Sequence, residues 1–182
     1  MAQTTDDGAD GPPRSVLIAA IAVGVAAVVA VLAIAVLRQS PALQEPLPIA
    51  TVPAPKAASR ECTALTAALP EQLGDYRRAP AADPAPAGAA AWLAESDPDP
   101  VILRCGLDRP AEFVVGSPLQ EVEPVQWFEL TDAGRSTWFA VDRPVYIALT
   151  LPSGSGPTPI QEISEAISQT MPAKPLDPAP AR

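Results

Sequence analysis

Residues 15–37 form an unbroken run of 23 uncharged positions: eight Ala, seven Val, three Ile, three Leu, one Gly and one Ser. As an α-helix this run would extend roughly 34 Å, enough to cross a hydrocarbon core about 30 Å thick. Arg14 and Arg38 bracket it. The competing reading is a helix buried in a globular core. That reading needs more apolar chain around the helix than a small domain supplies. A transmembrane helix over residues 15–37 is therefore expected, preceded by a short segment at residues 1–14.

The flanks carry about one basic residue each, so loop charge does not orient the segment. The cysteines do. Cys62 and Cys105 are the only two, both lie after the apolar run, and they have neither CxxC spacing nor metal-ligand company. An even pair in a small exported domain most simply forms one disulfide, the alternative being two unrelated buried thiols. A disulfide places residues 1–14 in the cytoplasm and the bulk of the chain outside. Asp6, Asp7 and Asp10 against a single Arg14 are unlike the basic start of a signal peptide. The run also exceeds the roughly 7–15 residues of a signal core. An uncleaved, single-pass signal-anchor is expected. The alternative is a secreted domain, released by cleavage near Ala33-Ile34-Ala35.

Proline divides the rest of the chain. Of 24 prolines, five fall between residues 39 and 59 and four between 172 and 182. Residues 38–59 read as a Pro/Ala-rich linker, which as polyproline II could reach about 60 Å from the bilayer. Residues 173–182 read as a disordered tail. Residues 60–172 remain as an extracytoplasmic domain. All eight aromatic residues lie beyond position 75, and residues 60–171 hold sixteen acidic against seven basic side chains. Such an acidic domain disfavours nucleic acid and anionic lipid as partners.

Within the domain, the pattern predicts helices at 61–69 and 158–169, the second with Thr158 as N-cap and Pro159 as first helical residue. Strands are predicted at 90–94, 101–107, 125–131, 136–141 and 145–151, with Asp97-Pro98-Asp99-Pro100 as a turn. The expected fold class is α+β: an N-terminal transmembrane helix, a Pro/Ala-rich linker, and a small antiparallel sheet of four or five strands with two helices and one disulfide.

Chemistry is sparse. Histidine is absent, which removes Ser-His-Asp and Cys-His catalysis and histidine-ligated metal. Ser153-Gly154-Ser155-Gly156 lacks the lysine of a phosphate loop and reads as a linker. Asp97 and Asp99 have no downstream cation-loop pattern. Glu121, Glu123, Glu129 and Asp132 are the remaining candidates for a carboxylate pair, Glu121 and Glu129 foremost. No catalytic residue, cofactor site or metal site is predicted. Trp92, Trp127 and Trp138 suit a core first. However, the adjacent pairs Trp127-Phe128 and Trp138-Phe139 must point to opposite faces of a strand. Either helices cover both faces, or Trp92, Trp127, Phe128, Trp138 and Phe139 include an exposed contact patch.

Cys62-x-x-Leu65-x-x-x-Leu69-Pro70, Trp92, Leu103-Arg104-Cys105-Gly106, Trp127, Asp142 and Pro144-Val145-Tyr146 together form a familiar pattern. It resembles an uncharacterised actinobacterial (mycobacterial-type) family of single-pass membrane proteins, a domain-of-unknown-function family. Leu-Arg-Cys-Gly is its most specific piece. Leu93 departs from it, standing where the family pattern has glycine. The resemblance implies location and architecture and carries no catalytic residue. Taken together, a membrane-anchored extracytoplasmic binding or scaffolding module of the bacterial cell envelope is expected, rather than an enzyme. It would be held to the membrane by its N-terminal helix and would contact an envelope protein or a cell-wall component. The alternative is a carboxylate-dependent cell-wall hydrolase.

Overall fold

The structure is a computed structural model that describes residues 14–39, 45–132 and 134–181. The chain divides into two units, Met1–Leu43 and Gln44–Arg182. The first contributes the helix α1 (Arg14–Gln39). Its described apolar side chains, among them Ile18, Val23 and Val31, are exposed. Among the described residues, no helix is long and apolar enough to cross a membrane. The expected transmembrane helix is thus not found among the described residues. Most of the expected cytoplasmic segment and residues 40–44 of the expected linker lie outside them.

The second unit is mostly β, and its sheet is larger than the four or five strands expected. Eight antiparallel strands come after the helix α2 (Arg60–Ala68): β1 (Gln72–Leu73), β2 (Tyr76–Ala79), β3 (Ala89–Ala94), β4 (Asp97–Leu107), β5 (Gln120–Val122), β6 (Val125–Asp132), β7 (Arg135–Ala140) and β8 (Tyr146–Leu151). The helix α3 (Thr158–Thr170) closes the order. The sheet runs β1-β2-β3-β4-β8-β7-β6-β5, two four-stranded meanders that meet where β4 pairs with β8. The unexpected strands β1, β2 and β5 are two to four residues long, too short to show a period-2 pattern. Asp97-Pro98-Asp99-Pro100 is not a turn but the start of β4, because the hairpin already closes between Ala94 and Asp97. Pairing with β8 begins only at Ile102, so prolines at 98 and 100 remove no hydrogen bond from that ladder. The N-cap of α3 is Pro157 rather than Thr158, with no side-chain cap.

Alternation sorts the side chains onto two faces. On the first, Trp92, Leu103, Trp127, Ile147 and Leu149 pack with Leu65 of α2 and with Ile163 and Ile167 of α3. The Trp127 Nε1–H donates to Ser164 Oγ at 2.9 Å in the fully buried interior. On the second face, Phe113, Phe128 and Val141 form a separate cluster, with the Phe113 and Phe128 ring centroids 5.5 Å apart. Both members of Trp127-Phe128 are therefore buried, yet among the described residues of this unit no helix joins the second cluster. Irregular chain does so instead. Residues 108–119 cross from β4 to the far edge carrying Phe113. Residues 172–181 join them, with Val115 N–H donating to Ala179 O at 2.8 Å and Ala179 N–H to Phe113 O at 2.9 Å. The expected tail is therefore paired rather than free. Part of the expected linker also packs on the domain: Ile49 is buried, Leu47 bridges Ala81, and Arg104 donates to Ala50 O at 3.3 Å.

Two features fix this arrangement. The Cys62–Cys105 disulfide joins α2 to β4 with a Cα–Cα distance of 5.6 Å. Gly106, at φ +88°, lies against residues 56–57: a Cβ there would come within 2.3 Å of Lys56 C and Ala57 N. A third contact, a buried ion pair, holds the far meander. Arg143 Nη1 meets Asp142 Oδ2 at 2.7 Å, and Arg143 Nη2 reaches Pro124 O at 2.7 Å.

Closing a loop across the 43 residues between the cysteines limits the unfolded chain by about 4 kcal/mol. Cys62→Ser is expected to lower the melting temperature substantially, and strong reductant should do the same to the natural chain. Melting that ignores reductant would contradict the bridge. Gly106→Ala should cost about 3 kcal/mol or more, from overpacking and left-handed backbone strain together. It should also speed hydrogen exchange at the Lys56 amide, which donates to Gly106 O at 3.0 Å. Ser164→Ala should cost about 1–3 kcal/mol in chemical denaturation, by leaving the Trp127 indole N–H buried without an acceptor.

Candidate functional site

The three tryptophans have different surroundings. Trp92 is buried on β3, its indole N–H donates to Pro70 O at 2.9 Å, and the Arg78 guanidinium lies 4.9 Å from its ring centroid. Trp127 is sealed beneath α3. Trp138, on β7, is half-buried: it packs against the first core cluster, and among the described residues no acceptor meets its indole N–H. Of the five aromatic residues expected as a contact patch, Trp92, Trp127 and Phe128 are buried. Phe139 is half-buried against the Phe113 cluster. Only Trp138 is left at an opening.

That opening is a cleft of about 360 Å³. Its location is set by where α3 begins. After β8 ends at Leu151, residues 152–157 turn the chain back, with Ser155 N–H donating to Pro152 O at 3.3 Å, and α3 starts at Thr158. The first turn of α3 supplies Ile160 and Gln161 as one wall, while Trp138 and Leu151 supply apolar surface from the sheet. Ser136 of β7 and Gln120 of β5 add a hydroxyl and an amide, and Ser153 and Ser155 add hydroxyls from the loop. Among the described residues, no charged side chain lines the cleft. Thus the Ser153–Gly156 stretch, expected from its composition to be a linker, forms a rim. The sequence signal for it is the Pro-flanked glycine loop between the clearest strand and the clearest helix.

A larger hollow of about 560 Å³ is lined by residues 45–48 and 93–98. It is built mainly from proline, leucine and acidic positions. Tyr76 lies nearby. Burial first, and then the Asp97 carboxylate that accepts from its hydroxyl at 3.2 Å, push the Tyr76 phenol up. Asp99 is held by Arg135. Both aspartates of the Asp97-Pro98-Asp99-Pro100 stretch are thus engaged by protein partners.

The carboxylates considered for general acid–base work do not converge. Gln120 pairs with Trp127, and Glu121 with Gln126, so Glu121 stands on the face opposite to Trp127. Glu129 pairs with Trp138 and shares the face of Trp127. Glu121 and Glu129 are therefore separated by the sheet itself, and Glu121 is engaged by Gln126 Nε2. Glu123 sits in the β5–β6 turn at φ 48°, and Asp132 at the β6–β7 hairpin.

Neither a curated protein nor a solved structure matches the chain. The family described as "Protein of unknown function (DUF3515)" matches residues 21–176, which include α2, all eight strands, α3 and the cleft. The chain belongs to the DUF3515 family of proteins of unknown function.

Proposed function

We propose that this chain is a membrane-associated, extracytoplasmic binding module of a bacterial cell envelope, actinobacterial in type, and that it binds through the Trp138 cleft. One observation carries the binding role. In a domain that seals two of its three tryptophans, the third is half-buried at a cleft, and among the described residues no acceptor meets its indole N–H. A monomeric domain seldom leaves such a group without a partner to receive it.

The compartment is supported by the Cys62–Cys105 bridge, since disulfides persist in oxidising surroundings and are rare in the cytosol. Membrane association is supported by the uncharged residues 15–37 and by the exposed apolar side chains of α1, which favour an apolar environment over water. An envelope protein or a wall component is the natural class of partner there. The hydrolase reading gains no support from its two foremost carboxylates, Glu121 and Glu129, which lie on opposite sheet faces.

Cell fractionation with thiol labelling tests the placement. The full-length chain should sediment with membranes, and an impermeant maleimide applied to intact cells should label Cys62 and Cys105 only after reductant is added. Thiols that stay reduced in the cell and become reachable only after lysis would refute the extracytoplasmic assignment. A photo-crosslinking residue at position 138 should capture an envelope component, whereas one at exposed Val115 on the second face should not.

A further inference from the structure

We infer that the Trp138 cleft takes a neutral, hydroxyl-rich ligand, a short stretch of glycan. This rests on the reading of the domain as a binding module and names its ligand class. The charge pattern comes first. Residues 60–171 carry sixteen acidic and seven basic side chains, a field that repels anionic ligands from the surface. Among the described residues, the cleft is lined by no lysine or arginine to reverse that field, and by no carboxylate to pair with a cation. An uncharged pocket on a strongly charged domain selects an uncharged ligand.

The polar groups then narrow the class. Gln120 and Gln161 each offer a carbonyl acceptor and an amide donor, and Ser136, Ser153 and Ser155 offer hydroxyls that both give and accept. Such dual-function groups match sugar hydroxyls, which also do both. A wholly apolar ligand would leave them unpaired at a cost. Between them lies the half-buried Trp138 ring, a flat apolar surface with a polar N–H, suited to the C–H face of a pyranose. Glu129 stands across from Trp138 on β6 but is not among the residues that line the cleft. At about 360 Å³ the cleft holds one or two sugar rings. Its open side lets a longer chain continue into solvent.

Trp92 and Trp127 are sealed, so Trp138 is the tryptophan whose emission a cleft ligand should change most. The full-length chain, in a detergent without a sugar headgroup, would be titrated with the N-acetylglucosamine trimer and with glucose and galactose oligomers. Uronate oligomers, glucosamine oligomers and a proline-rich peptide serve as comparisons. A saturable emission change with at least one neutral oligomer is expected. Calorimetry should show binding about tenfold or more weaker for Trp138→Ala, and a few-fold weaker for Gln161→Ala and Trp138→Phe. Trp138→Phe, which keeps most of the buried ring, controls for folding through its melting temperature.

Equal binding by a folded Trp138→Ala chain would overturn the inference. So would the absence of a saturable response to any neutral oligomer, or preference for a charged oligomer or the peptide. If the sugars fail while crosslinking from position 138 still captures an envelope component, the sugar assignment falls and the binding module stands. If both fail, both fall.

Discussion

The pairing of β4 with β8 is the constraint on which the rest of this domain depends. Each meander is a four-stranded ribbon with local hairpins, and neither has a core until Leu103 meets Leu149 and Cys105 meets Ile147 across the seam. Every residue of Leu103-Arg104-Cys105-Gly106 acts at this seam in a different direction. Leu103 fills the core beneath the helices. Arg104 reaches over the second face to Ala50 O, Cys105 bonds to α2, and Gly106 admits residues 56–57. The four residues thus tie together two faces, a helix and a leading segment. Substitution at any one is felt in a different part of the molecule.

The second face shows another use for proline. Regular secondary structure would satisfy its own backbone and pack as a unit, but residues 45–59, 108–119 and 172–181 cover the sheet as extended or turning chain. Their backbone groups pair singly with loops and strand ends: Leu47 N–H with Pro80 O, Lys56 N–H with Gly106 O, Lys174 N–H with Asp142 O. Proline suits such cover, because it lowers the entropy lost on ordering and has no N–H to leave unpaired. Composition shows that these stretches are neither helix nor strand. It does not show whether they are docked, because docking depends on what they meet. Phe113 and Phe128 must be brought together by the crossover before residues 172–181 have a surface to pair along.

The same distinction explains which parts of the molecule are legible in the sequence. β8 announces itself by alternation, β6 and β7 by the glycine-containing turn sequence between them, and α3 by Ile160, Ile163, Ala166 and Ile167 at helical spacing. The disulfide is legible because only one pairing of two cysteines exists. β1 and β2 are not, although Gly74-Asp75 between them is a two-residue hairpin signal; two- and four-residue strands give no period to read. The turn expected at Asp97–Pro100 is absent because proline breaks a strand only where its missing N–H is needed. On a stretch of β4 that β8 does not reach, it breaks nothing. The contact patch is half legible. Trp138 can be named as a candidate, but only the register of β7 and the starting point of α3 separate it from Trp92 and Trp127.

Strand order also sets the order in which this domain can acquire its structure. A chain that emerges N-terminus first completes β4 long before β8 exists. During that interval the first meander presents a hydrogen-bonding edge of mixed apolar sequence, Ile102 to Leu107, with nothing to pair with it. Cys62 and Cys105 are both present by then, so the covalent bond can form early and place α2 over one side of the exposed strand. The remaining edge stays open until nearly the last element arrives. This fold therefore leaves a vulnerable template exposed while residues 108–151 are made. Whatever machinery delivers the chain must keep that edge from meeting its counterpart on another molecule.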